Sequence, residues 1–169
     1  MIRPILRFGA TPLHDRAAEV GELTSDIQKL IDDMIETMYA APGIGLAAPQ
    51  IGVSLRIFVI DLSLGRKPDD LLLFINPEFV QLEGMQLEEE GCLSVPGFNA
   101  TVARPMRAVV RGLDRAGAVR TVEGTDLLAR ALQHEMDHLD GKLFLDRVRG
   151  IKRDLIVKKI RKMTRAGKW

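Results

Sequence analysis

An α+β chain is what this sequence predicts, with short antiparallel strands packed around a central helix that carries an HExxH pentapeptide, and with a C-terminal helix closing it. Two observations lead there. The 169 residues open and close on stretches with helical apolar spacing, and the middle is a series of short apolar runs separated by turn residues. That order lacks the repeating strand-helix alternation of a parallel sheet. The length suits one domain, residues 1–169, and neither a linker nor an internal repeat interrupts it.

The elements follow in order. Thr24-Ser25-Asp26-Ile27-Gln28 reads as a helix start, with Ser25 as N-cap and Gln28 closing a capping box. Ile27, Leu30, Ile31, Met34, Ile35 and Met38 then recur at 3.6-residue spacing, and Pro42-Gly43 ends the helix. Leu55 to Ile60 and Leu71 to Ile75 are apolar runs rich in strand formers. Ala108 to Leu113 and Val119 to Glu123 flank Asp114-Arg115-Ala116-Gly117 and predict a hairpin. Thr125 caps a second helix that runs to Asp140, with Gly141 as its stop. A third spans about Gly150 to Arg165.

Composition narrows the function classes. Hydrophobic residues at 46% with 28% charged exclude a disordered chain and imply a packed core. The net charge of +1 creates no overall field that would demand DNA or a membrane as partner. No run approaches a membrane span, Met1 to Asp15 carries no apolar signal region, and the single cysteine fits a reducing compartment. The bacterial cytoplasm is the expected location, a processed organellar enzyme the alternative.

His134-Glu135-Met136-Asp137-His138 carries the chemistry. On a helix, residues four apart lie about 40° from each other around the axis, so both imidazoles share a face and Glu135 flanks them. A metal held there lowers the pKa of bound water, and a neighbouring carboxylate can take the proton and pass it to a leaving amine. Two satisfied surface histidines are the bland alternative. A catalytic site needs a third protein ligand, and no histidine follows His138. Cys92, in Glu90-Gly91-Cys92-Leu93-Ser94, is the best candidate, although most free cysteines are simply small buried hydrophobes. A thiolate would admit iron, nickel or cobalt as well as zinc. In Gly43-Ile44-Gly45-Leu46-Ala47-Ala48-Pro49-Gln50, the Gln50 amide could donate to an oxyanion, unless the segment is only a Gly-Pro turn.

Taken together, GIGLAAPQ, EGCLS and QHEMDHLDG resemble, in this order and separation, the signature motifs of the peptide deformylases. The similarity extends from Pro4-Ile5-Leu6 to the tail helix. It implies that Cys92, His134 and His138 bind one divalent metal, Fe(II) in the cell, replaceable by Ni, Co or Zn. It implies that Glu135 is the general acid and base, and that Gln50 and the Leu93 N–H stabilise the oxyanion. The substrate would be a nascent formylmethionyl polypeptide, and formate a product. The substrate backbone would pair, strand-like, with the segments around Ile44-Gly45 and Gly91. Leu127 and Ala131, on the histidine face of the helix, could line the methionine pocket, or Leu127 could be plain core.

Between Arg149 and Lys168, Asp154 is the only acid, while Ile151, Leu155, Ile156, Ile160 and Met163 form an apolar stripe. The basic face fits ribosomal RNA, or it is a solvated surface without a partner. Two rival functions remain. One is a metallopeptidase of the HExxH type, against which Cys92 argues. The other is a non-enzymatic, ribosome-associated protein with a structural metal, which would need a fourth protein ligand.

Overall fold

The computed structural model describes residues 1–169. Helix α1 (Ser25–Ala40) is followed by β1 (Gly45–Ala47), β2 (Ile57–Ile60), β3 (Leu72–Glu83), β4 (Gln86–Glu90), β5 (Ala100–Arg104), β6 (Arg107–Leu113) and β7 (Val119–Thr125), then by α2 (Asp126–Leu139) and α3 (Ile151–Arg165). All strand pairings are antiparallel: one five-stranded sheet in the order β1-β2-β3-β6-β7 and a two-stranded sheet of β4 and β5. The architecture is α+β, as the sequence predicts, and α3 closes it.

The continuous apolar runs of β2 and β3 are explained by burial on both faces. Ile57, Val59, Leu73 and Ile75 face α1, where they join Leu30, Ile31, Met34 and Met38. Phe58, Ile60 and Phe74 point the other way, to Ala129, Leu132, Met136 and Leu139 of α2. A third apolar cluster joins Val95, Ala100 and Val102 to Phe144 and Leu145, and there Ile156 and Ile160 hold α3 down. The small sheet and the tail helix thus share a core distinct from that of the large sheet.

Several local expectations are corrected. The N-cap of α1 is Thr24, whose Oγ accepts the Ile27 N–H at 3.3 Å, and not Ser25. Gln28 closes no capping box, because its amide is engaged with Arg115 at the tip of the β6–β7 hairpin, donating to the Arg115 carbonyl at 2.9 Å. Leu55 forms only an isolated bridge to Ala18, so β2 starts at Ile57. β3 runs far beyond Ile75, carried past Asn76-Pro77 by register shifts against β6 that leave the proline outside a regular ladder. Thr125 occupies the N-cap position of α2 but makes no side-chain cap bond. β1, β4 and β5 are strands that no apolar run announces.

The end of α2 is as expected. Gly141 takes φ +75°, its N–H bonds the His138 carbonyl at 3.2 Å, and the Lys142 N–H bonds the Asp137 carbonyl at 2.9 Å. This paired closure needs a left-handed residue, which glycine supplies without strain.

Candidate metal centre and cleft

α2 delivers the two histidines on one face, with ring centroids 5.0 Å apart. Glu135 lies beside them, 3% exposed. The helix is oriented by its apolar side against the five-stranded sheet, so the histidine face looks toward β1 and the segment after β4. Cys92 arrives on that segment, and its Sγ lies 3.3 Å from His138 Nε2. The ligand atoms of Cys92, His134 and His138 all fall within 4.8 Å of one another.

The surroundings fix each of these groups. His134 Nδ1 is 3.0 Å from Glu90 Oε1, and its ring stacks on Phe144. A carboxylate on the far nitrogen sets the tautomer and leaves Nε2 for the cluster. Glu90 in turn accepts from Arg104 Nε and Nη2 at 2.5 and 2.9 Å, while Arg104 Nη1 donates to Asp137 at 3.0 Å. Arg147 Nε and Nη2 each reach an Asp137 oxygen at 2.6 Å. Arg104, Glu90 and Asp137 are buried against one another, while Arg147 closes the group from the exposed side.

Gln50, 1% exposed, sits in the short 3-10 turn after β1. Its Oε1 accepts the Ala47 N–H at 2.9 Å, which aims its Nε2 at Ser94 Oγ (3.1 Å) and Cys92 Sγ (3.6 Å). The Leu93 N–H has no acceptor among the backbone hydrogen bonds of its loop. Gln50 and Leu93 both line the same cleft. β1 passes so close to Glu135 that a Cβ on Gly45 would sit 2.7 Å from Glu135 Oε2, so any larger residue there would displace that carboxylate.

Electrostatics favour proton chemistry. Burial pushes the pKa of Glu135 up to about 7, the nearby charges only trimming the shift. Burial also holds His138 well below its usual value, as a neutral ligand would be. Burial opposes charge on His134 as well, yet the Cys92 thiol and the Glu90 carboxylate beside it raise its pKa well above 6.5. For Glu90, burial is outweighed by His134 and Arg104, and the net shift is downward.

A metal ion fits this set. One sulfur and two imidazole nitrogens converge, and they suit borderline transition metals. The buried atoms without a hydrogen-bond partner are Glu135 Oε1 and His138 Nδ1, both in this cluster. Next to it opens a cleft of about 520 Å³ lined by Ile44, Gly45, Gly91, Leu93, Leu127 and Ala131 among others. The candidate metal, catalytic and substrate-binding residues read from the sequence therefore lie in one place. Glu90, Arg104 and Arg147 were not singled out. A carboxylate two residues before Cys92 is a usable signal for Glu90, whereas nothing local marks Arg104 as buried or Arg147 as a partner of Asp137.

Such geometry defines a class, the metal-dependent hydrolases that set a metal-binding group beside a proton-accepting carboxylate. The family model described as polypeptide deformylase matches residues 2–154. The peptide deformylase of Acidobacterium capsulatum is 50% identical over 169 residues, covering 100% of this chain and 99% of its own. That of Thermodesulfovibrio yellowstonii is 50% identical over 160 residues, 95% and 97% of the two chains. Among solved structures, the Legionella pneumophila peptide deformylase superposes with a TM-score of 0.92 at 45% identity, covering 99% of this chain and 98% of that one. The Synechococcus elongatus enzyme in complex with actinonin gives 0.88 at 37% identity, with 94% and 89% covered. The chain belongs to the polypeptide deformylase family. It is an enzyme that removes the N-formyl group from newly made polypeptides.

Proposed function

We propose that Cys92, His134 and His138 hold one divalent metal, Fe(II) in the cell with Ni, Co or Zn as substitutes, and that residues 1–169 act as a single catalytic domain. The observation that carries this reading is the meeting of those three ligand atoms within 4.8 Å of one another, beside a buried Glu135. When bound, the metal supplies Lewis acidity that makes water nucleophilic near neutral pH.

Glu135 takes the proton of the attacking water; a pKa near 7 suits a group that must accept a proton and then give it up. The Gln50 amide and the Leu93 N–H donate to the oxygen of the formyl carbonyl as it gains charge. Glu135 then protonates the departing nitrogen, the formyl C–N bond breaks, and formate and a free N-terminal amine leave. The substrate backbone pairs with the outer edge of β1 around Ile44 and Gly45 and with Gly91 after β4, since both segments line the cleft. Ile44, Leu127 and Ala131 receive the methionine side chain.

Formate release from formyl-Met-Ala-Ser tests this, using protein purified anaerobically with Fe(II) or Ni(II). The wild type should turn over rapidly and Glu135→Ala should be slower by about 10²–10⁴-fold. No release by metal-loaded wild type would send the site to peptide-bond cleavage instead. With iron bound, activity should decay faster in air than under argon, because iron and thiol are both oxidisable.

The exposed basic face of α3, with Lys158, Lys159 and Lys162, meets ribosomal RNA in the cytoplasm. The support is its charge together with the packing of Ile156 and Ile160 that fixes which face is outward. Reversing these lysines to glutamate should weaken ribosome binding and flatten its salt dependence without lowering activity on the tripeptide.

A further inference from the structure

We propose that Leu64 is a specificity-determining residue, forming the outer wall of the pocket for the side chain of the substrate's first residue and favouring a long apolar one. This rests on the reading of the cleft above, because it assumes that Ile44, Leu127 and Ala131 line that pocket.

Leu64 lines the same cleft as those residues, although it comes from the loop after β2. It is 43% exposed, so packing in the core does not explain it. Its backbone is at φ +56°. The other non-glycine residues in that region are Asn76 and Asp126, residue types that enter it readily. For a leucine it is an outlier.

The turn is held rigidly. Asp61, with no solvent exposure, accepts the N–H and hydroxyl of Ser63 at 2.8 and 2.6 Å on one oxygen. On the other it accepts the Tyr39 hydroxyl at 2.5 Å and the Gly65 N–H at 3.0 Å. Tyr39 belongs to α1, and the Asp61 N–H donates to the Ile44 carbonyl at 2.8 Å. The clamp therefore ties Leu64 to the strand that borders the cleft. Glycine would satisfy the same turn without strain, as Gly65 does next to it at φ +86°. A strained leucine at the apex, over-determined by a buried carboxylate, is explained by what its side chain covers. An apolar side chain in the cleft would bury Leu64, which water otherwise meets.

The test compares wild type with Leu64→Gly and Leu64→Asn, both compatible with positive φ, and with Leu64→Met. Steady-state kinetics on formyl-Met-Ala-Ser and formyl-Ala-Ala-Ser would be measured with thermal unfolding. The glycine and asparagine variants should lose roughly tenfold in kcat/KM on the methionine peptide, mainly through KM, and far less on the alanine peptide. Leu64→Met should keep the wild-type ratio, and Leu64→Gly should melt no lower than wild type. An unchanged methionine-to-alanine ratio in both the glycine and asparagine variants would overturn the proposal, whatever their melting temperatures. A wild type that deformylates neither peptide would instead remove the reading of the cleft on which it rests.

Discussion

Against the five-stranded sheet, α2 presents Ala129, Leu132, Met136 and Leu139 to a wall of Phe58, Ile60 and Phe74. Against the two-stranded sheet, the same helix presents Arg130 to Gln86, His134 to Glu90 and Asp137 to Arg104. One interface is apolar and the other is a chain of buried hydrogen bonds and charges. An apolar interface accepts many fillings of the right volume, so it can hold a helix but cannot by itself fix the rotation of an imidazole. Buried charges are costly unless each is met by a partner in good geometry, and that requirement fixes orientation. The Cys92, His134 and His138 group that we propose holds a metal sits on the charged side.

Arg104→Met should break this contrast most severely. It leaves Glu90 buried with His134 as its one partner and Asp137 with Arg147 alone, and denaturant unfolding should register a loss of about 4 kcal/mol. Metal affinity, read by chelator competition, should fall roughly 10–100-fold as His134 loses its orienting partner. Replacing Arg104, Glu90 and Asp137 together by apolar residues should recover stability but not metal affinity. Recovery of both would mean that the network only packs.

A second test uses pH on chelator-treated protein. Burial raises the pKa of Glu135 from its ordinary 4.5 to about 7 in the folded state. The folded state therefore holds the proton more tightly, and stability falls as pH rises from about 4.5 to 7, by roughly 3 kcal/mol from this group. Glu135→Gln should flatten that slope. A slope unchanged in the variant would place its origin elsewhere.

On the apolar side, Leu132→Ala should cost about 3 kcal/mol by leaving a cavity, while metal affinity stays within about twofold of wild type. A large loss of affinity there would erase the distinction between the two faces. Smallest, and remote from both, Thr24→Ala should cost about 1 kcal/mol as a lost N-cap, whereas Ser25→Ala should cost little. The reverse order would restore the cap position expected from the sequence.

Much of the helical framework was legible. The 3.6-residue spacing of Leu30, Ile31, Met34 and Met38 placed α1, and Gly141 placed the end of α2, because these signals act within a few residues. Gln28 misled for an instructive reason: its amide was free to serve a cap three residues away, but the distant Arg115 competed for it and won. β4 is hard to read because the residues it buries, Gln86 and Glu90, are polar while Leu87 is exposed, and β5 is short and buries only one face, so neither shows an apolar run.

What the sequence by itself determined is the local chemistry: His134, Glu135 and His138 on one helix face follow from helical pitch alone, and the three motifs identify the family. Tertiary structure alone decided which Cys92 sulfur contact forms across 46 residues, which carboxylate orients His134 across 44, and that Arg104 is buried at all. The physical reason is that a charged residue carries no local mark of its burial. Whether it meets water or two carboxylates depends on which strands are brought beside it, and that is settled only when both faces of α2 are packed.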